Sequence, residues 1–263
     1  MKVVVADLPS ELEQIQLHIF SDWHIGDPLC DMPCIREQIA RVKDTSNAFV
    51  ICNGDLINNA VKTSPSDVYH ITMSPQEQMT ELISLLEPIK DKILIVSTGN
   101  HESRTLRNDG IDITAAVCLK LGLDTKYCAE GGVLFVRFGD RHQGGRQGNG
   151  KCSYSLYVTH GSGGGRREGG KINRLADLAG IVDTDIYVHS HTHTPAVMKQ
   201  AFYRLNYQSA STIAVEKLFV NSSSALTYGG YGQVASYKPN SKSNPTIFLE
   251  ARTNGKKAMW AVL

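Results

Sequence analysis

Five times along this chain a short apolar run stops at aspartate, asparagine or histidine. QLHIF (16–20) opens into SDWHIGD, and AFVIC (48–52) opens into NGD. KILIVST (92–98) is followed by GNHE, YSLYVT (154–159) by His160, and DIYVH (185–189) by SHTH. Apolar runs of this length, rich in β-branched residues and closed by turn formers, read as buried strands. Ligand crevices of open α/β sheets lie outside the carboxyl ends of the strands. Asp22, His24, Asn53, Asp55, Asn100, His101, His160, His191 and His193 should therefore converge on one crevice.

Helical patterns separate these runs. Ile35, Ile39 and Val42 recur at helical spacing. In SPQEQMTELISLLEP (74–88), Ser74 reads as an N-cap, Pro75 as the first helical residue and Glu77 as the third member of a capping box. Residues 112–121 read as a helix closed by Gly122, and 171–179 as one followed by Gly180. VLFVRFG and YSLYVTH read as strands joined by a Gly-rich hairpin connection, DRHQGGRQGNGK (140–151). Strands alternating with helices to about residue 190 argue for a layered α/β core. Beyond it come the β-like pieces AVMKQAFYRL, IAVEKLFV, PTIFLEA and KAMWAVL. No repeat or linker splits the chain, so residues 1–263 read as a single domain with a β-rich C-terminal extension from about 206.

A net charge of +1 supplies no field that argues for a polyanion or a membrane surface. The six cysteines are scattered with no CxxC pair, as expected of reduced thiols in a cytoplasmic protein. Cys30 and Cys34 lack the second pair that a zinc site would need. There is no signal-peptide core, and no window approaches the roughly 20 apolar residues of a membrane helix.

Two aspartates, one asparagine and four histidines at the strand ends make a mixed oxygen and nitrogen donor set. Mn, Fe, Zn, Ni or Co suit it better than Mg or Ca. Seven donors are too many for one tetrahedral ion and enough for two that share a carboxylate. Such pairs, roughly 3.5–4 Å apart, activate water and clamp phosphoryl oxygens. His191 and His193, two apart, would face one side of an extended segment. His189 reads as structural. Taken singly, Asp22 could be a turn residue and His160 a satisfied histidine; their recurrence in this order is what carries the metal reading.

As a set, DWH (22–24), GD (54–55), GNHE (99–102), TH (159–160) and SHTH (190–193) resemble the calcineurin-like metallophosphoesterases. The resemblance implies an α/β four-layer metallophosphoesterase sandwich: two mixed β-sheets face to face, flanked by helices. It implies one metal held by Asp22, His24 and His193, a second held by Asn100, His160 and His191, and Asp55 bridging both. A metal-bridging hydroxide would attack phosphorus in line. Asp55, Asn100 and His101 form the catalytic set, with His101 protonating the leaving oxygen or stabilising the transition state. The expected cofactors are two divalent transition-metal ions, Mn first.

The departures from the family pattern are informative. Ser190 stands where a glycine usually precedes H-x-H. Asn58 and Asn59 stand where the phosphoprotein phosphatases of the superfamily carry an aspartate that orients the histidine and an arginine that grips phosphate. An asparagine at that place can accept a hydrogen bond from His101 but cannot stabilise an imidazolium as a carboxylate does. The expected function is thus a phosphodiesterase or nuclease acting on a nucleotide or nucleic acid. The alternatives are a phosphomonoesterase on small molecules or phosphoproteins and a non-catalytic scaffold of the same fold.

HGSGGGRREGGK (160–171) runs directly from His160. Successive glycines can turn backbone N–H groups towards an anion. Arg166, Arg167 and Lys171, with Arg104 and Arg107 after GNHES on the same rim, are expected to bind the substrate phosphate or its neighbours; the alternative is a solvated surface loop with ordinary charges. Tyr228 and Tyr231 could stack on a base or simply pack a loop. The expected partner is a phosphodiester substrate, with no membrane; the sequence leaves the oligomeric state open, a dimer included.

Overall fold

The computed structural model describes residues 1–62, 64, 68–139, 151–251 and 257–263. All of the Gly-rich connection except Lys151 lies outside the described residues. The chain runs β1 (Lys2–Asp7), β2 (Gln14–Phe20), α1 (Met32–Asp44), β3 (Ala48–Asn53), α2 (Pro75–Leu86) and β4 (Ile93–Ser97). It continues through α3 (Ser103–Asp109), α4 (Ile113–Leu121), β5 (Tyr127–Cys128), β6 (Gly132–Phe138), β7 (Cys152–Val158) and α5 (Glu168–Asp177). Then follow β8 (Ile186–His189), β9 (Ala196–Asn206), β10 (Ser211–Asn221), α6 (Gly230–Val234), β11 (Thr246–Ala251) and β12 (Lys257–Val262).

The strands form two mixed six-stranded sheets, ordered β1-β6-β7-β8-β10-β9 and β12-β11-β2-β3-β4-β5. Alternation decides which face each residue takes. On β2, Ile15, Leu17 and Ile19 point into the inter-sheet core, against Leu134, Val136, Leu156, Val188 and Val220 of the other sheet. Phe20, Val50 and Cys52 point outward, under Ile35 and Ile39 of α1 and Leu82 and Leu86 of α2. Tyr157, Tyr187 and Phe219 cover the far face of the other sheet beneath Leu175 of α5. The four layers follow from these three apolar clusters. β3 and β4 are buried along their whole length, as central parallel strands covered on both faces must be.

Local chemistry sets the helix ends. Ser74 and Glu77 form the expected reciprocal capping box on α2. Asp112 caps α4, which ends at the left-handed Gly122. Three differences from the sequence reading have physical causes. β1 was not read as a strand; it pairs in parallel with β6 at the edge of its sheet, so only one face is covered. α5 begins three residues earlier than read, because Gly169 and Gly170 in its first turn lower its apparent helix propensity. Two of the C-terminal pieces run longer than read. β9 and β10 are eleven-residue strands, with β10 parallel to β8, while β11 pairs with β2.

Among the described residues no helix is long and apolar enough to cross a membrane.

Candidate metal centre

The carboxyl ends of β2, β3, β4, β7 and β8 open onto the same rim, and their loops bring the polar residues together. Three groups of donors lie within 4.8 Å of one another: Asp22, His24 and His193; His24, Asp55 and His101; Asp55, His160 and His191. His193 Nε2 is 3.1 Å from Asp22 Oδ1 and 3.3 Å from His24 Nε2. His160 Nε2 is 3.2 Å from both Asp55 Oδ2 and Asn100 Oδ1. Asp55 belongs to two of the groups, which is the position a bridging carboxylate needs.

The backbone here is unusual. Asp22, His24, Asp55, His191 and His193 all have φ between 50° and 64°. Asp and His tolerate this left-handed region better than most residues. The extended H-x-H expected from the sequence is corrected by these angles: β8 ends at His189, and His191 and His193 reach the centre from a left-handed loop. Ser190 is not among the positive-φ residues, so the absent glycine costs no strain. Its Oγ instead accepts from Asn53 Nδ2 at 2.7 Å and from Ser222 Oγ at 2.8 Å.

Two glycines let the loops meet. A Cβ on Gly54 would stand 2.4 Å from Gly99 N, and one on Gly99 would stand 2.1 Å from Asp55 Oδ1. The loops after β3 and β4 thus touch through their backbones, which places Asp55 beside Asn100 and His101.

Buried groups one step back hold the donors. Glu102 accepts from Asp55 N (2.9 Å), Gly99 N (3.0 Å) and Ile57 N (3.1 Å). Burial and the neighbouring Asp55 push its carboxyl up to about 7. Its role was not read from the sequence, although the GNHE stretch contains it. His160 Nδ1 is 2.7 Å from Asn53 O, and His101 Nδ1 is 2.8 Å from Asn58 O. A carbonyl only accepts, so both Nδ1 atoms carry the proton and both Nε2 atoms face the centre. The expected partner of His101 is corrected here from an asparagine side chain to the Asn58 carbonyl. Asn59 Nδ2 donates to His101 O at 2.8 Å, and Asn59 Oδ1 accepts from Thr105. Ser222 Oγ lies 3.5 Å from Asp22 Oδ2, and Asn221 Nδ2 donates to Thr192 Oγ1 and Thr194 O, bracing the loop of His191 and His193. Neither Ser222 nor Asn221 carried a sequence signal, because each stands at the end of a strand without a motif. His189 is buried against Asn221 Oδ1 at 2.7 Å, as a structural residue should be.

The electrostatics are those of a crowded donor cluster. Burial would raise the Asp22 carboxyl, but the His193 and His160 imidazoles hold it at about 2. Burial opposes charge on His160, yet Asp55 and Asp22 raise its imidazole to about 10. His24 is driven well below its ordinary value by burial and by His101. Asp22 Oδ1 and His24 Nδ1 are buried without a hydrogen-bond partner. An orphaned carboxylate oxygen facing two imidazole nitrogens suits a cation, so the residues fit divalent metal ions.

The cationic side chains divide. Arg104 is half-buried and donates to Asn58 O at 3.0 Å, the carbonyl that also receives His101. Arg107 donates to Ser103 O and Asn100 O on the exposed side. Lys171 donates to Thr194 Oγ1 at 2.7 Å, directly beyond His193. Arg166 and Arg167 are exposed just ahead of α5, and no hydrogen bond or ion pair among the described residues ties them to the cluster.

Among solved structures, wild-type Vps29 complexed with Zn2+ from Entamoeba histolytica is 14% identical, with a TM-score of 0.44, covering 94% of this chain and 98% of that one. A conserved uncharacterized protein from Streptococcus pneumoniae TIGR4, a predicted phosphoesterase, is 15% identical with a TM-score of 0.35, covering 95% and 99%. No curated protein sequence gives a significant match. The sequence profile of the calcineurin-like phosphoesterases matches residues 15–195, from β2 to just past His193. A match over that much of its length makes the chain a member of the calcineurin-like phosphoesterase family.

Proposed function

We propose that the chain is a dinuclear-metal-dependent phosphodiesterase acting on a nucleotide or nucleic-acid substrate. The observation that supports the diester reading is the partner of His101. A neutral carbonyl, Asn58 O, holds its Nδ1 where a carboxylate would stabilise a standing imidazolium. Burial, with Arg104 nearby, keeps the imidazole below its ordinary value against the pull of Asp55. Its imidazolium is therefore a strong acid for a leaving oxygen.

In this reading Asp22, His24 and His193 would hold one ion, Asn100, His160 and His191 would hold the other, and Asp55 would be shared between them. When bound, the ions supply Lewis acidity, lowering the pKa of a water and neutralising phosphoryl oxygens. That water would pass one proton to solvent, and the resulting hydroxide oxygen would bond to phosphorus as the P–O ester bond opposite it breaks. His101 Nε2 faces the cluster, 3.9 Å from Asp55 Oδ2, and delivers a proton to the departing oxygen. Asp55 Oδ1 accepts from His101 N at 2.8 Å, which fixes the carboxylate and the acid together. Mn is the first choice of metal, with Fe, Zn, Ni or Co as alternatives.

Arg104 favours a second reading. A half-buried guanidinium beside His101 is the kind of group that grips a monoester dianion, so a phosphomonoesterase is the alternative. Hydrolysis of bis-p-nitrophenyl phosphate and p-nitrophenyl phosphate with Mn2+ separates the two. The diester should be preferred, and His101→Ala should keep its metal while turnover falls by about 10²–10⁴-fold. Asp55→Asn should lose metal and activity together. A monoester preference, or full activity in both variants, overturns the assignment.

A further inference from the structure

The segment after β10 carries three tyrosines that the metal chemistry leaves unused. It departs from the centre itself: Ser222 lies against Asp22, and Ala225 N donates to Asp22 O at 3.0 Å. Leu226 bridges to Cys30, and Thr227 N donates to Leu29 O at 2.8 Å, so the segment runs along the loop that holds His24. Tyr228 follows Ala225 by three residues, a span of at most about 11 Å. Its hydroxyl donates to Tyr237 O at 2.9 Å, and the rings of Tyr231 and Tyr237 lie 6.4 Å apart. Tyr231 is 70% exposed.

The cluster is also tied to the loop of His160. A Cβ on Gly164 would stand 3.9 Å from Tyr237 Oη, and Lys238 pairs with Glu168 of α5 at 2.8 Å. From the same helix Lys171 reaches Thr194, the residue after His193. The aromatic segment is therefore tied to the loop that carries His24 and to the stretch that follows His160, where the exposed side chains of Arg166 and Arg167 make no hydrogen bond or ion pair among the described residues. Exposed rings on a segment that meets the basic stretch after His160, next to the donor cluster, match a base and its phosphate: every base has a π-face, and stacking on an aromatic ring tolerates any sequence. We propose that Tyr231, backed by Tyr228 and Tyr237, is a stacking platform for a nucleobase of the substrate. The proposal rests on the phosphodiesterase reading and names the substrate class of that site.

Two esters with one leaving group test it: thymidine 5′-(p-nitrophenyl phosphate) and methyl p-nitrophenyl phosphate, given to the full metal-loaded chain. Water adds to phosphorus and p-nitrophenolate leaves in both, so they differ only in the nucleoside. The wild type should favour the thymidine ester. Tyr231→Ala should lower its kcat/KM about tenfold to a hundredfold, mainly through KM, and leave the methyl ester unchanged. Tyr231→Phe should retain the preference, and Tyr203→Ala, an exposed tyrosine on β9, should change neither ester. Stacking also quenches 2-aminopurine emission, so 2-aminopurine riboside 5′-monophosphate should dim on binding to wild type and Tyr231→Phe but not to Tyr231→Ala. Equal hydrolysis of the two esters by wild type, or quenching that persists in Tyr231→Ala, overturns the platform and leaves the phosphodiesterase reading standing. Hydrolysis of neither ester overturns both.

Discussion

His160 shows how a single residue is set for its place. Its Nδ1 proton is committed to the Asn53 carbonyl, and its Nε2 lies 3.2 Å from Asp55. Without a cation, Asp55 and Asp22 keep the imidazole protonated up to about pH 10. A metal ion at Nε2 must displace that proton, so metal affinity should rise with pH between 6 and 8, by up to about tenfold per unit from this one group. Proton release on Mn2+ binding, measured by titration calorimetry in buffers of different ionisation enthalpy, checks this. Affinity flat across that range would mean that His160 does not receive the ion. The left-handed angles of Asp22, His24, Asp55, His191 and His193 belong to the same scale. Each such residue stores roughly 1–3 kcal/mol of backbone strain, held by surrounding hydrogen bonds such as those from Glu102, Ser222 and Asn221.

At the scale of elements, the strand ends carry the design, and the loops after β3 and β4 meet at Gly54 and Gly99. Gly99→Ala should force Asp55 aside, because the new Cβ would stand 2.1 Å from its Oδ1. We expect retained folding with metal binding and turnover both lowered; crystallography or metal titration reads the displacement. Ser74→Ala should behave oppositely, lowering stability by about 1 kcal/mol through the lost cap of α2 while activity is unchanged. The same distinction explains what the sequence made visible. The motif residues were legible because each ends a buried parallel strand, where apolar periodicity breaks abruptly. The capping box on α2 was legible because its residues bond locally. β1 was not, since an edge strand buries only one face. Glu102, Ser222 and Asn221 act through partners distant in sequence, and the left-handed loop of His191 and His193 leaves no mark in residue spacing.

For the whole molecule, acid stability combines the centre with the core. His24, His101, His189 and His191 are all held below their ordinary value, chiefly by burial, and bound metal would keep the ligands among them neutral. His18 has the same character away from the centre. It is 8% exposed on β2, its Nε2 has no hydrogen-bond partner, and burial with Arg41 and Lys92 lowers its pKa to about 4. The unfolded chain takes up that proton near pH 6.5, whereas the folded chain resists until about pH 4. The stability it contributes is thus complete above pH 6.5 and is lost as pH falls towards 4, by up to about 3 kcal/mol. His18→Leu removes the titration and also the orphaned nitrogen. In metal-free protein its acid-unfolding midpoint, followed by circular dichroism, should move to lower pH, with stability at pH 7.5 equal or higher. In metal-loaded protein the ions should leave first, so the same substitution should shift the second step of a biphasic curve and not the first. A midpoint that stays in place in the metal-free protein would put the acid sensitivity wholly in the metal-facing histidines.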